Sequence, residues 1–281
     1  MRARSYAHAL RFELVRAFAT PRWVMAALTW VLVGRLGSES IESTIRNGTA
    51  VDWSVFDVHA AAINSSFNVG LLLLTAFVLI AGDGVGRDRQ SRYVEMTVPR
   101  TGDKRRWWSV KVCVLLASAL VFHAGFLIAC VGVGVFGGAR MTTAPSGFAV
   151  SEGTAIGQSQ MLFAPVDPHA NMLVREVARA GYLTLTFFAV GVVCMLASLR
   201  HPSPWVPAGL CLVYVLLDWV AGYFLGDWYR QVGLVGRMLE GIHSPVMASP
   251  ALSWSSSLIV FATMAAVAHT VGRTLVTRMD L

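Results

Sequence analysis

Ser109-Val-Lys-Val-Cys-Val-Leu-Leu-Ala-Ser-Ala-Leu-Val-Phe-His-Ala-Gly-Phe-Leu-Ile-Ala-Cys-Val-Gly-Val-Gly-Val-Phe136 is the stretch whose reading decides the fold. Its last 25 residues carry no Asp, Glu, Lys or Arg. A helix of about 20 mostly apolar residues crosses about 30 Å of hydrocarbon, so residues 109–136 are expected to span a bilayer. Lys104-Arg105-Arg106-Trp107-Trp108 stands directly before them, a basic and aromatic entry of the kind that marks a membrane–water boundary. Outward from this stretch, further spans are predicted at 23–40, 62–82, 179–199, 204–225 and 252–272. The first is short and needs Arg35 to snorkel toward a headgroup. The second holds Asn64, Ser65, Ser66 and Asn68 near its start, so its apolar part begins at Phe67 and a five-span reading stands beside the six-span one. A composition 55% hydrophobic and only 14% charged, with a mean hydropathy of +0.58, is too apolar for an ordinary soluble domain. The expected fold is therefore all-α: residues 1–281 as one polytopic membrane helix bundle.

Charge decides the orientation. With six spans and the N-terminus inside, 16 of the 23 basic residues fall on the cytoplasmic side, eight of them between Arg87 and Lys111. Glu39, at the outer end of the first span, and Glu42, Asp52 and Asp57, in the outer loop after it, lean the other way. Both termini are thus expected in the cytoplasm, in a plasma membrane of bacterial type, and the 21 Arg against 2 Lys is consistent with a GC-rich bacterial genome. The net charge of +7 reads as topology rather than as a nucleic-acid footprint, because the basic residues flank spans instead of lining one face. The remaining use of those cations is attraction to the anionic inner leaflet of the lipid bilayer.

Several chemistries lack their residues. No Gly-x-x-x-x-Gly-Lys-Ser/Thr loop occurs, so nucleotide hydrolysis by the P-loop route is not expected in this chain; Gly82-Asp-Gly-Val-Gly86 has no preceding strand and no Lys-Ser after it. There is no His-Glu-x-x-His, no paired glutamates and no Gly-x-Ser-x-Gly, hence no expected catalytic residue, metal site or bound cofactor. Cys113, Cys130, Cys194 and Cys211 all lie in predicted spans without metal spacing and read as small buried hydrophobes. A cleaved signal peptide is not expected before the first span.

Residues 1–22 place Tyr6, Leu10, Leu14, Val15 and Phe18 near one helical stripe, with Arg4, Arg11 and Arg16 elsewhere and Pro21 as terminator. That pattern predicts an amphipathic helix at the inner interface. The cytoplasmic stretch 83–108 is too patterned for a plain loop: 91–98 predicts a short helix with Tyr93, Val94 and Met96 as its apolar positions, closed by Pro99. Residues 171–180 read as helix leading into the fourth span, and 226–251 as an amphipathic outer segment that re-enters the leaflet. Gly134 and Gly138 form a small-xxx-small pair for close packing in the third span. Deep polar residues are His123, Asp218 and His269. Asp218 has two readings, a wall of a water-accessible substrate path or an interfacial acid at the rim; His123 is a packing residue or a relay.

This architecture resembles the permease subunit of an ATP-binding-cassette transporter of the type-2 exporter class. Such subunits have a cytoplasmic amphipathic helix, six spans, a coupling helix between spans two and three, and outer re-entrant helices. They also share an acid near the end of span two, a Pro plus basic segment, and a Lys at the start of span three. Asp83 or Asp88, Pro99-Arg100 and Lys111 can take those places; the family's usual Gly-Thr after the acid is missing. The resemblance implies that Arg87, Asp88, Arg89, Arg92, Tyr93, Pro99, Arg100 and Lys104 couple the chain to a separate P-loop ATPase, which would hold the ATP and Mg. It also implies a second copy or a sister permease, and a drug-like, peptide or lipid-like export substrate. An ion-coupled secondary transporter, which should show charges near the midplane and broken helices in two corresponding halves, and a non-transporting scaffold are the competing classes.

Overall fold

The computed structural model describes residues 2–46, 52–149, 169–201, 203, 205–225, 233–239 and 254–279. Among them there is no β-strand, and six helices are long and apolar enough to cross a membrane. The protein is an all-α multi-pass membrane bundle.

Helix α1 (Arg2–Phe18) ends at the bend before Pro21, and α2 (Arg22–Arg46) follows as the first span. The expected end of that span at residue 40 is overtaken by an ion ladder. Arg35 bonds Glu39 (3.3 Å) and Glu42 (2.8 Å), and Glu42 also faces Arg46 (3.9 Å). Pairs at i,i+4 stabilise a helix by a few tenths of a kcal/mol each, so Arg35 is held by acids rather than snorkelling alone. Helix α3 (Val55–Ile63) has all nine residues buried. Its N3 acid, Asp57, accepts from the Ser54 amide (2.6 Å), as in a capping box. Gly37 lets α2 and α3 touch, since a Cβ there would lie 2.7 Å from the Val58 carbonyl oxygen.

Asn64, Ser65 and Ser66 then interrupt the helix, and the polar residues seen in the sequence close the break: Asn68 Nδ2 donates to Ala62 O (3.1 Å) and Asn68 N to Ser65 Oγ (3.3 Å). The second span proper, α4, begins at Phe67 rather than at 62. It consists of π-helical stretches Phe67–Leu74 and Val78–Gly82 joined by the α-helical turn Thr75–Phe77. Helix α5 (Gly84–Gln90) continues it beyond Asp83, and α6 (Tyr93–Thr101) follows a reversal at Arg92, whose φ is 51°. The expected closure of this helix at Pro99 is corrected: Pro99 lies inside α6. The stop is Gly102 (φ 77°), whose amide reaches back to Val98 O (3.0 Å) and Pro99 O (3.2 Å). A left-handed glycine after the last turn ends helices more effectively than a proline within it.

Asp103 caps α7 (Lys104–Phe136) by accepting from the Arg105 amide (3.0 Å), and this third span is the hub of the bundle. It packs against α1, α2, α3, α8 (Met172–Arg200) and α11 (Trp254–Arg278). Its interior side is an aromatic layer: Phe122 contacts Trp30, Phe77 and Phe187. Glycines seat the largest rings, Gly125 beneath Trp30 and Gly272 beneath Trp108. Gly134 packs closely, but on Val55 of α3. Gly138 falls past the end of α7 with φ +81° and open space around it, so the expected Gly134/Gly138 helix–helix seam does not form. Helix α8 starts at Met172 with Asn171 as its cap, as the 171–180 pattern predicts. Helix α9 (Trp205–Leu225) turns only Pro207, Ala208, Cys211, Val215, Asp218 and Gly222 inward. Of the expected outer segment 226–251, only α10 (Leu234–Met238) and its flanks are among the described residues. Cys130, Cys194 and Cys211 are buried as expected, whereas Cys113 is exposed.

Ends of successive spans meet alternately. Arg22 meets Asp83, Lys104 Nζ donates to Met279 O (2.6 Å), and Arg89 donates to Leu199 O. The starts of α2 and α7 and the ends of α4, α8 and α11 thus share one end of the bundle, the near end. Ser54, Gly134 and Met172 mark the far end.

Candidate functional site

At the near end, α1, α2, α5 and α7 converge on a set of charges that the hydrocarbon boundary would not tolerate unpaired. Lys111, seven residues into α7, is 6% exposed and bridges Glu13 Oε2 (2.6 Å) and Asp88 Oδ2 (2.5 Å). Arg16 takes the other oxygen of Asp88 (2.7 Å) and lies 3.9 Å from Glu13. Its guanidinium stands 3.7 Å above the Tyr93 ring, which also stacks on Phe12. A second knot joins Asp83 to Arg22 (2.7 Å) and Arg87 (2.9 Å). Three carboxylates therefore face four cations, and together with Tyr93 they fasten α1, α2, the α4–α6 connection and α7 to one another. A cavity of about 70 Å³ lies between them, lined by Arg16, Trp23, Arg87, Asp88, Lys111 and Ser118 among others.

The structure brings together most of the sequence-selected residues, in several environments. Asp88 is buried at 2% exposure and points inward to Lys111, so it is a strut of the loop rather than part of its surface. Arg87 is partly buried against Asp83, Arg89 is tied to the end of α8, and Lys104 to the end of α11. Arg92 is exposed at the tip of the loop, and Pro99 lies within α6. The side chain of Arg100 is outside the described residues. His123 is buried, with Nδ1 on Ala119 O (3.0 Å) and its ring 4.5 Å from that of Phe187. Asp218 is 7% exposed and bonded by the Tyr214 hydroxyl (3.2 Å); Gly233 packs directly on it. That places the acid under α10, a third environment beside the path and the rim. His123 and Asp218 do not share a site with the near-end network.

Glu13, Arg16 and Arg22 went unrecognised as network members in the sequence. Of the stripe expected on α1, Tyr6, Leu10, Leu14 and Phe18 are half-buried and Val15 is exposed, while Glu13, outside that stripe, is buried. One signal was available, because Glu13 is the only acidic residue before Glu39.

Buried polar residues beyond His123, Asp218 and His269 form a second group. At the far end His59 of α3 meets Glu176 of α8 (Nδ1 to Oε2, 2.5 Å), and Arg179 pairs with the other carboxylate oxygen. Asp57 accepts from Ser146 Oγ (2.6 Å) alongside the Ser54 amide. Burial pushes the Asp57 carboxyl above its ordinary range, and the Glu176 charge pushes the same way against those hydrogen bonds. Among the described residues the helix break at 64–66 has no counterpart in the other half of the chain, and these buried charges stand at the far end of the bundle rather than at its midplane.

No protein-family model matches the chain, and no curated protein matches it.

Proposed function

We propose that the chain is the membrane permease subunit of an ATP-driven exporter of the type-2 ATP-binding-cassette class. It forms half of a pathway for a small amphiphilic, drug-like, peptide or lipid-like substrate. A separate P-loop ATPase supplies the ATP and Mg, and a second copy or a sister permease supplies the other half. The observation that carries this reading is the near-end network. A force applied to the α5–α6 loop passes through Asp88 to Lys111 at the foot of α7, and through Arg16 and Glu13 to α1. Ion pairs that hold Glu13, Asp88 and Lys111 buried between helices make a stiff linkage, which is what a lever between an external motor and a span requires. Exposed Arg92 and Met96 leave the loop a surface for the motor to grip. The outward face of α9, with Leu217, Trp219, Tyr223 and Phe224, suits lipid or the second subunit.

Purification of the tagged chain in mild detergent with its neighbouring genes expressed, followed by mass spectrometry, tests the assignment. A co-eluting P-loop ATPase at one copy per membrane chain is the expected result; a chain that elutes alone sinks it. Joint charge reversal of Arg89, Arg92 and Arg100 is expected to abolish stimulation of that ATPase while membrane insertion is kept. An ion-coupled carrier is the second reading, favoured by the buried His59–Glu176–Arg179 cluster.

A further inference from the structure

Helix α1 carries a face that the near-end linkage does not use. His8, Arg11, Phe12 and Val15 stand at i, i+3, i+4 and i+7, a single helical stripe, and all four are exposed. Beside that stripe runs a groove of about 560 Å³ between α1 and α6. Phe12 and Val15 give it an apolar wall, and Thr97 and Thr101, one turn apart on α6, lie buried in its floor. Both threonines give their hydroxyl protons to carbonyls of α6 itself, Thr97 to Tyr93 O (3.0 Å) and Thr101 to Val98 O (2.9 Å). Glu13 also lines the groove, but Lys111 holds one of its carboxylate oxygens and the other is buried. The floor therefore offers no free hydroxyl proton to a polar head, and the fixed positive charge of the stripe is that of Arg11, at the exposed rim.

The depth of α1 follows from one contact. Tyr6 Oη lies 3.6 Å from Cys113 Sγ, and Cys113 belongs to the uncharged run 112–136 of the third span. Helix α1 thus lies along the level at which α7 enters hydrocarbon, where the headgroups and first acyl carbons of a leaflet meet. A ligand for this groove is apolar along its length, negative at one end, and present at that level.

We propose that the groove binds one anionic phospholipid, its phosphate on Arg11 and one acyl chain laid along Phe12 and Val15 over Thr97 and Thr101. The volume falls in the range of small-ligand sites, roughly 300–1,000 Å³, and an apolar lining with few polar anchors is their usual make-up. Among the described residues Arg11 enters no ion pair or side-chain hydrogen bond, so its guanidinium is available to a phosphate. A water-borne peptide would have to displace lipid from the same level before it could enter. Because α6 forms one wall, the bound lipid braces the α5–α6 loop against α1.

Native mass spectrometry of the full chain in mild detergent, titrated with dioleoylphosphatidylglycerol or dioleoylphosphatidylcholine, tests the site. One phosphatidylglycerol per chain is expected to bind about tenfold more tightly than phosphatidylcholine, the scale of an arginine–phosphate contact. Arg11→Gln should remove that preference. Arg105→Gln, the same charge loss at an exposed residue at the foot of α7, should keep it. No preference in the wild type, or an equal loss in both variants, overturns the proposal, because the attraction then belongs to the basic surface in general. Hydrogen–deuterium exchange in nanodiscs locates the lipid. Protection of the amides of Tyr93–Thr101 is expected to rise severalfold when phosphatidylglycerol replaces phosphatidylcholine, and not to rise in Arg11→Gln. The same rise on adding inorganic phosphate to phosphatidylcholine discs would make the ligand a free anion and overturn the lipid assignment. A dimer that disappears in Val15→Asp, with no dependence on lipid, would place a second copy in the groove and overturn it as well. The site needs only the bundle and a bilayer, so its failure and that of the exporter assignment are read separately.

Discussion

Lys111 shows how much one side chain can hold in a low-dielectric setting. Among the described residues its ammonium is the only group within ion-pair distance of both Glu13 and Asp88 besides Arg16, and both of its ion pairs run to other helices. Lys111→Met leaves two buried carboxylates with one partly exposed arginine, and breaking a buried pair costs about 3–5 kcal/mol. The thermal midpoint in detergent is expected to drop accordingly, with partial recovery on adding Asp88→Asn; an unchanged midpoint in Lys111→Met would refute the network. Asp57 makes a pH prediction. Its carboxyl is held above the ordinary range, so the folded state binds that proton more tightly than the unfolded one. The stabilisation is complete below the unfolded value of about 3.9 and is lost as pH rises through the folded value. Wild type measured against Asp57→Asn should therefore lose relative thermal stability from about pH 4 upward. Lys111 was readable in the sequence as a lone cation at the head of a span, but its partners were not. Glu13 lies 98 residues away, and no local pattern encodes that pairing.

Elements in this bundle are placed by small residues as much as by apolar ones. Gly37 determines how closely α3 approaches α2. A methyl there would press on backbone atoms, the Val58 carbonyl oxygen at 2.7 Å and the Ala62 amide nitrogen at 3.0 Å, and neither can rotate away. Gly37→Ala is expected to cost about 1–3 kcal/mol and to raise amide exchange in α3. Unchanged protection there would show that the two helices part freely. The same logic separates what periodicity shows from what it conceals. Spans 204–225 and 109–136 were legible because their apolar runs are long, and the structure extends the latter back to Lys104 under the Asp103 cap. Helix α3 was not legible. Its first seven residues fall in the expected outer loop and its last two in the expected second span, because Asp57 and His59 interrupt the apolar run; their partners on other elements are what make burial tolerable.

For the whole molecule, the six spans among the described residues bring α1 and the end of α11 to the same end of the bundle, α1 through Arg16 and Glu13 and α11 through Met279 O on Lys104. The positive-inside bias predicts that this end faces the cytoplasm. A green fluorescent protein fused after Leu281 is expected to fluoresce, and alkaline phosphatase at the same point to stay inactive. The reverse pattern would invert the topology and remove the near-end network from the reach of any cytoplasmic motor.

By itself the sequence determined the solvent, the helical class and the approximate spans, and it supplied the expected sidedness. Each of these follows from runs of about 20 residues and from charge counts, quantities summed along the chain. Tertiary structure alone decided which charges meet. Glu13 with Lys111 and His59 with Glu176 are separated by 98 and 117 residues, and each pair exists only because helix packing removes both partners from water at the same point. Burial makes an ionisable side chain costly alone and stable in company, and company is a property of the folded bundle.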